Sequence, residues 1–467
     1  DRSGRWGWLN DGVFDLAAAI LPHTNSPRRM LSALSALGRR TAPPAISWLM
    51  SLTLAHPKLI SLAAGFTDNA SLPVDEARAL LDEILSNACT GRPALQYGST
   101  IGEPLLREFT AKRLVELDAR AIAHHDDFGA QTPPNRSTTS KPQPLPPARV
   151  LITNGSQQLL YLLTEALCDP GDLVLVEDPT YFVFLGIAQS HALGCRGVRL
   201  LPDGIDLEHL EQVLEQLRRT GELPRVKFLY LVTYYQNPTG YTTSFAKKTA
   251  ALKLLRRYEK FAGHPLYLLE DAAYRELRFA GGEIPSALAF PGGRERVLYA
   301  GTFSKPFATG VRVGFGVLPE PVLAAATRIK GNHDFGTANL LQQLLARALA
   351  NGAYDRHLAA LQCRYARKAR VMTAALRAHF PTAVEWREPA GGLYVWARAP
   401  RHIHTGAKSR CFQSAVRRQV LYVPGQLCYA DDGTRRKPDH ELRLSFGGAK
   451  ERDITEGIQR LGQVLSA

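Results

Sequence analysis

The sequence predicts an α/β fold: a large domain built on a mostly parallel sheet flanked by helices, plus a smaller α+β C-terminal domain. Three observations carry that reading. Short β-branched runs alternate with helix-period patterns from Arg149 to Leu318. Each run is punctuated by glycine, proline or polar residues. From about Leu340 the pattern changes to a long helical stretch and then a few short strands. With 45% apolar residues over 467 positions the chain can bury a sizeable core, which excludes disordered, collagen-like and coiled-coil classes.

The elements follow in order. Residues 1–57 read as an N-terminal arm, with apolar residues at helical spacing (Phe14, Leu16, Ile20; Leu31, Leu34, Leu37). Residues 58–95 are assigned to the small domain and 96–335 to the large one. Residues 129–147 are rich in Thr, Ser and Pro and read as an exposed loop insertion. The run VLIT (150–153) leads into a helix from Ser156 to about Cys168, and LVLVE (173–177) into a helix through Phe184. KFLYLVT (227–233) precedes a helix from Ala246 to Phe261. LYLLE (266–270), VLYAGT (297–302) and VRVGFGVL (311–318) complete the sheet. Residues 336–467 return to the small domain: a helical stretch to Phe380, strands at 392–398 and 441–446, and a final helix.

The 57 Lys and Arg against 43 Asp and Glu give +14, but the basic residues are spread in small groups. They read as solvated helix faces or a field that gathers anions, and no nucleic-acid partner is expected. The six cysteines show neither C-x-x-C nor zinc-finger spacing, so no metal and no disulfide scaffold is expected. The uncharged run Thr41 to Pro57 holds three prolines and is too short for a membrane span. A cytoplasmic protein with no membrane partner is the expectation.

In open α/β sheets ligands collect outside the carboxyl ends of the strands, so the residues after each run matter most. Asn154-Gly155-Ser156-Gln157 opens a helix whose free N–H groups suit a phosphate, although it reads equally as a plain N-cap. Asp178-Pro179-Thr180-Tyr181 places a ring able to stack on a planar group. Asn237, in a Tyr-Gln-Asn-Pro-Thr-Gly turn, offers an amide donor to a ring oxygen or carboxylate. Glu270 and Asp271 follow an apolar strand, where a carboxylate is costly without a partner; Asp271 suits a protonated ring nitrogen and Tyr274 a phenolic oxygen. Thr302, Ser304 and Lys305 follow the next strand, with Arg312 beyond. A lysine there suits imine chemistry because its surroundings can lower its pKa, and Arg312 suits phosphate oxygens. Arg443 stands among alternating apolar residues, where a substrate carboxylate or an internal acid would satisfy it.

In their order and joint placement, NGSQQ, EDPTY, YYQNPTG, EDAAY, TFSK with Arg312, and LRLSF resemble the fold-type I, pyridoxal-phosphate-dependent aminotransferases of class I/II, over roughly residues 58–465. LAAGFTDNASLP (62–73) and QYGSTIGEPLLRE (96–108) are similar to the 2-aminoadipate, kynurenine and MocR-like branch. The resemblance implies pyridoxal 5'-phosphate as cofactor, with Lys305 as the Schiff-base lysine that also moves the proton at the substrate's Cα. It implies Asp271 on the pyridine nitrogen, Asn237 and Tyr274 on the phenolic oxygen, and Tyr181 stacked on the ring. Ser156, Gln157, Thr302, Ser304 and Arg312 would form the phosphate cup, with Thr302 where many relatives have Ser. Tyr97 would reach the phosphate of a neighbouring subunit, implying a homodimer. Arg443, with Asn237, would hold the substrate α-carboxylate, and Gly65 lies in a substrate-covering segment. The match of Gly331 to Thr337 to a cross-subunit segment is too loose to assign a residue.

The function implied is transfer of an amino group from an L-amino acid to a 2-oxo acid, with 2-oxoglutarate as expected acceptor. The same scaffold also serves lyases, cyclases and decarboxylases. A cofactor-binding sensor is the third reading, for which residues 1–40 are too short to form a winged-helix domain.

Overall fold

A computed structural model describes residues 33–127 and 144–466. Most of the expected arm and most of the expected 129–147 insertion lie outside the described residues. In chain order the strands are β1 (Ile60–Ser61), β2 (Val150–Thr153), β3 (Leu173–Asp178), β4 (Gly194–Leu201), β5 (Gly204–Ile205), β6 (Val226–Val232) and β7 (Tyr267–Asp271). Then come β8 (Val297–Thr302), β9 (Gly314–Val317), β10 (Glu385–Trp386), β11 (Tyr394–Arg398), β12 (Val420–Leu421), β13 (Val423–Pro424) and β14 (Glu441–Ser445).

Eight strands form one sheet in the order β2-β9-β8-β7-β6-β3-β4-β5. The pairs β3–β4, β3–β6, β6–β7 and β7–β8 are parallel; β2–β9, β8–β9 and β4–β5 are antiparallel. Strands β2, β3, β8 and β9 are buried at every position, as expected of a sheet covered on both faces. A second, antiparallel sheet of order β10-β11-β14-β13 carries the α+β part. The parallel pair β1–β12 ties the early segment to the C-terminal one.

Four differences from the sequence reading have clear physical reasons or bear on the site. Strand β4, GCRGVRLL, was not expected; it is only partly buried, so its arginines and glycines hide the alternation a strand usually shows. The 24-residue helix Pro104–Asp127 was also not anticipated. The helical stretch to Phe380 is two helices, Asn339–Ala350 and Ala353–His379, parted at Gly352, whose φ of 74° suits glycine. The run 311–318 is a strand only over Gly314–Val317, because Arg312 adopts a left-handed conformation at φ 50°.

Candidate active site

Strands β3, β6, β7 and β8 end on the same edge of the sheet, beside the N-terminus of the helix Gly155–Leu167. Their terminal residues line one cavity of about 120 Å³. It receives Ser156 and Gln157 from the helix start, Tyr181 after β3, Asn237 after β6, Asp271 and Tyr274 at and after β7, and Thr302, Ser304, Lys305 and Arg312 after β8. Ten residues picked out in the sequence therefore meet at one place.

One end of the cavity is built for an anion. Asn154 caps the helix without a side-chain bond to its N–H groups; its amide instead donates to Asp334 (2.6 Å), as does that of Gln158 (2.6 Å). Backbone donors at a helix start then face the cavity with a favourable dipole. Close approach is secured by glycine. A Cβ on Gly314 would lie 2.3 Å from the Ser156 nitrogen, and one on Gly155 (φ 70°) would lie 2.9 Å from Arg312 Nη2. Arg312 donates only to the Thr309 carbonyl (3.4 Å) and has no carboxylate within 4 Å among the described residues. Ser304 Oγ is buried with no partner, while its backbone N–H donates to Thr302 Oγ1 (3.0 Å). An unpaired guanidinium, an orphan hydroxyl and uncapped amides together fit a phosphate.

The middle holds the reactive pair. Burial, with the positive charges of Arg312 and Arg443, lowers the Lys305 ammonium to about 8. Its Nζ donates to the Gly65 carbonyl (2.8 Å). Asp271 is buried and raised to about 6 by desolvation, against the pull of two donors: Tyr230 Oη to Oδ2 (2.8 Å) and Ala273 N–H to Oδ1 (3.1 Å). A carboxylate so held suits a cationic ring nitrogen.

Arg443, on β14, adjoins the cavity through Asn237. It is 1% exposed. It donates to Asn237 Oδ1 (2.6 Å) and the Ala63 carbonyl (2.6 Å), and its Nε has no partner. No carboxylate lies within 4 Å among the described residues, so the internal-acid alternative is not what the fold provides. Its guanidinium rests 4.3 Å over the Tyr394 ring. Tyr394 was not singled out in the sequence, where GLYVWAR reads as an ordinary strand. Its hydroxyl meets that of Tyr274 (3.0 Å), and a Cβ on Gly65 would lie 2.4 Å from it. Tyr97 stands apart: it is 82% exposed, edge-on to Phe335 at 5.2 Å, and lines no part of this cavity.

Two larger clefts compete on volume. One, of about 670 Å³, lies around Trp386 and Trp396, and one of about 220 Å³ around Arg113 and Arg275. Their cations are mostly neutralised already: Arg199 by Asp206, Arg398 by Glu441, Arg435 by Asp178, Arg113 by Glu276 and Arg275 by Asp118. The smaller cavity is the one where Lys305 and Arg312 face no neutralising partner, so chemistry rather than size selects it.

Comparison with known proteins bears on the family and the fold. A family model described as aminotransferase class I and II matches residues 57–461. The 2-aminoadipate transaminase of Thermus thermophilus is 32% identical over 424 residues, covering 89% of this chain and 92% of that protein. The multiple substrate aminotransferase of Thermococcus profundus superposes with a TM-score of 0.78 at 27% identity, covering 93% of this chain and 97% of the other. The α-aminoadipate aminotransferase LysN, also of Thermus thermophilus and complexed with N-(5'-phosphopyridoxyl)-L-leucine, gives 0.75 at 29% identity, with coverage of 93% and 97%.

Proposed function

The chain belongs to the class I and II aminotransferases, of fold type I and dependent on pyridoxal phosphate, and we propose that the cavity around Lys305 is where it moves an amino group from an L-amino acid to a 2-oxo acid. One observation carries the assignment. A lysine with a lowered pKa, a two-donor carboxylate and an uncapped helix start with an unpaired arginine all line the same cavity.

Bound there, pyridoxal phosphate supplies an aldehyde that takes up amines and a protonated ring that accepts the electron pair left when the α-proton departs. The rest is the work of this chain. The helix start, Ser304, Thr302 and Arg312 hold the phosphate. Asp271 would keep the ring nitrogen protonated, and Tyr181, Asn237 and Tyr274, which line the same cavity, would hold the ring and its phenolic oxygen. Lys305 would tether the group and, with its amine free, would serve as the base that removes the proton from the substrate's Cα. Arg443 takes the α-carboxylate, exchanging the carbonyl of Ala63 and the oxygen of Asn237 for a charged partner.

The similar proteins are named for 2-aminoadipate and for multiple substrates, which supports a site tolerant of side chains; 2-oxoglutarate as acceptor rests on the family resemblance. A homodimer, with Tyr97 completing the neighbouring cup, is supported by the exposure of the Tyr97–Phe335 pair. The division into a large domain over 96–335 and a small one over 58–95 and 336–467 is supported by the two main sheets, each of which stays within one of these ranges. A cytoplasmic location accords with six unpaired cysteines. Among the described residues no helix is long and apolar enough to cross a membrane.

The test is a screen of amino donors with 2-oxoglutarate and pyruvate, repeated with Lys305→Ala. Glutamate or alanine formed only with Lys305 present is the expected result. Ammonia released without any acceptor would overturn transamination in favour of elimination.

A further inference from the structure

Strand β6 reads VKFLYLV and is apolar apart from Lys227, yet Tyr230 puts a hydroxyl in its buried centre. A buried hydroxyl is costly unless it is hydrogen-bonded. Leu or Val would suit a plain core strand as well. The hydroxyl's destination is specific. Tyr230 pairs with Leu269 across the parallel ladder, so Asp271, two residues on, lies on the same face within diagonal reach. Its Oη donates to Asp271 Oδ2 at 2.8 Å. The ring cannot drift, because it stacks on Phe184 with centroids 3.9 Å apart and planes 19° from parallel. Burial and the Asp271 charge hold the phenol well above its usual range, so it stays a donor.

The surroundings give Asp271 little other help. No Lys, Arg or His nitrogen lies within 4 Å of it among the described residues. Glu177 on β3 is buried and raised to about 8, by desolvation first and by Asp271 last, so it adds no counter-charge. Tyr181, Tyr274, Lys305 and Arg312 line the same cavity, but none bonds to the Asp271 carboxylate. Glu270, its chain neighbour, points to the other face, to Lys248, Thr233 and the Ala287 amide. Tyr230 is therefore the only side chain among the described residues that bonds to Asp271, the second donor being the Ala273 backbone.

We propose that Tyr230 is a positioning residue, which through its hydrogen bond keeps Asp271 ionised and turned toward the cofactor's ring nitrogen. The inference rests on the role given to Asp271 above. A hydrogen bond to an ionised group favours the charged form, so its loss moves Asp271 upward by about one to two pH units.

The experiment is Tyr230→Phe, which keeps the ring and its stack. Tyr230→Met, equally lacking the donor, takes its place if the first variant does not fold. In cofactor-free protein the protonated-carboxyl infrared band is titrated, using the component that Asp271→Asn removes. Its midpoint is expected to rise by about one to two pH units in the variant. In the loaded enzyme, kcat is expected to fall roughly tenfold to a hundredfold with KM for the amino donor little changed. The same substitution made on Asp271→Asn is expected to cost almost nothing more, since Tyr230 acts only through Asp271. An unmoved infrared midpoint, or an equal loss of kcat in the Asp271→Asn background, overturns the proposal. Borohydride reduction of wild-type enzyme separates the two layers. Cofactor fixed on Lys305 with a silent Tyr230→Phe sinks only this inference, whereas no cofactor on Lys305 sinks the site assignment and this inference together.

Discussion

The lowered pKa of Lys305 can be tested without the cofactor. A lysine at its ordinary 10.5 is about 0.03% neutral at pH 7, whereas one at about 8 is about 9% neutral, a roughly 300-fold gain in free amine. The gain has a stated order of causes: burial first, then the positive charges of Arg312 and Arg443. The assay is reductive methylation of cofactor-free protein with formaldehyde and cyanoborohydride, followed by mass mapping of the peptide that carries Lys305. Its labelling rate should climb about tenfold per pH unit up to about pH 8 and then level, while surface lysines keep rising toward 10.5. In Arg312→Met the plateau should move to higher pH, because a repelling cation is gone. It should stop short of 10.5, because burial is the larger cause and remains. A Lys305 profile that levels only near 10.5 in wild type would refute the argument that this pocket readies the amine for chemistry.

Three further outcomes follow from the same geometry. Arg443→Ala should lower kcat/KM by about 30-fold to several thousandfold, the range for losing one member of a buried charge-assisted pair, and by a similar factor for donors with different side chains. Unchanged donor affinity would refute the carboxylate role. Gly314→Ala drives a methyl into the Ser156 amide, so cofactor affinity should fall and stability drop by about 1–3 kcal/mol; a normal cofactor Kd by equilibrium dialysis would count against the cup. Tyr97→Ala, at an exposed position, should leave subunit unfolding within about 0.5 kcal/mol of wild type yet speed cofactor release, measured by dilution and absorbance. Unaltered release would remove Tyr97 from the neighbour's site.

What was legible in the sequence divides along physical lines. The parallel strands β3, β6, β7 and β8 were visible because each is a short apolar run bounded by punctuation, and the candidate site residues because polar groups after such runs have few structural reasons to be there. Strand β4 and the helix Pro104–Asp127 escaped because neither shows a clean period: the strand is only partly buried, and the helix mixes charge with alanine along its length. Arg312 was read as part of a strand, but its left-handed turn is what brings the guanidinium up to Gly155. Tyr230 and Tyr394 were missed for another reason. Each is an aromatic in an apolar run, and the atom that gives its hydroxyl a purpose lies 41 residues away for Tyr230 and 120 residues away for Tyr394. No local pattern records such a contact.

The electrostatics of the site explain why it would prefer amino acids to simple amines. Arg443 and Lys305 both rest on carbonyls of one short segment, Ala63 and Gly65, and the other partner of Arg443 is a neutral amide. Neutral acceptors satisfy the geometry of a buried cation but not its charge, and a charge-assisted bond is roughly twice as strong as a neutral one. If Arg443 takes the substrate's α-carboxylate, as proposed, that group gains by displacing the Ala63 carbonyl, whereas an amine lacking it leaves the carbonyl in place. Arg443 and Lys305 thus share one stretch of backbone as hydrogen-bond partner. A side chain at Gly65 would have to displace the hydroxyl of Tyr394, the ring beneath Arg443, which lies 2.4 Å from where its Cβ would stand.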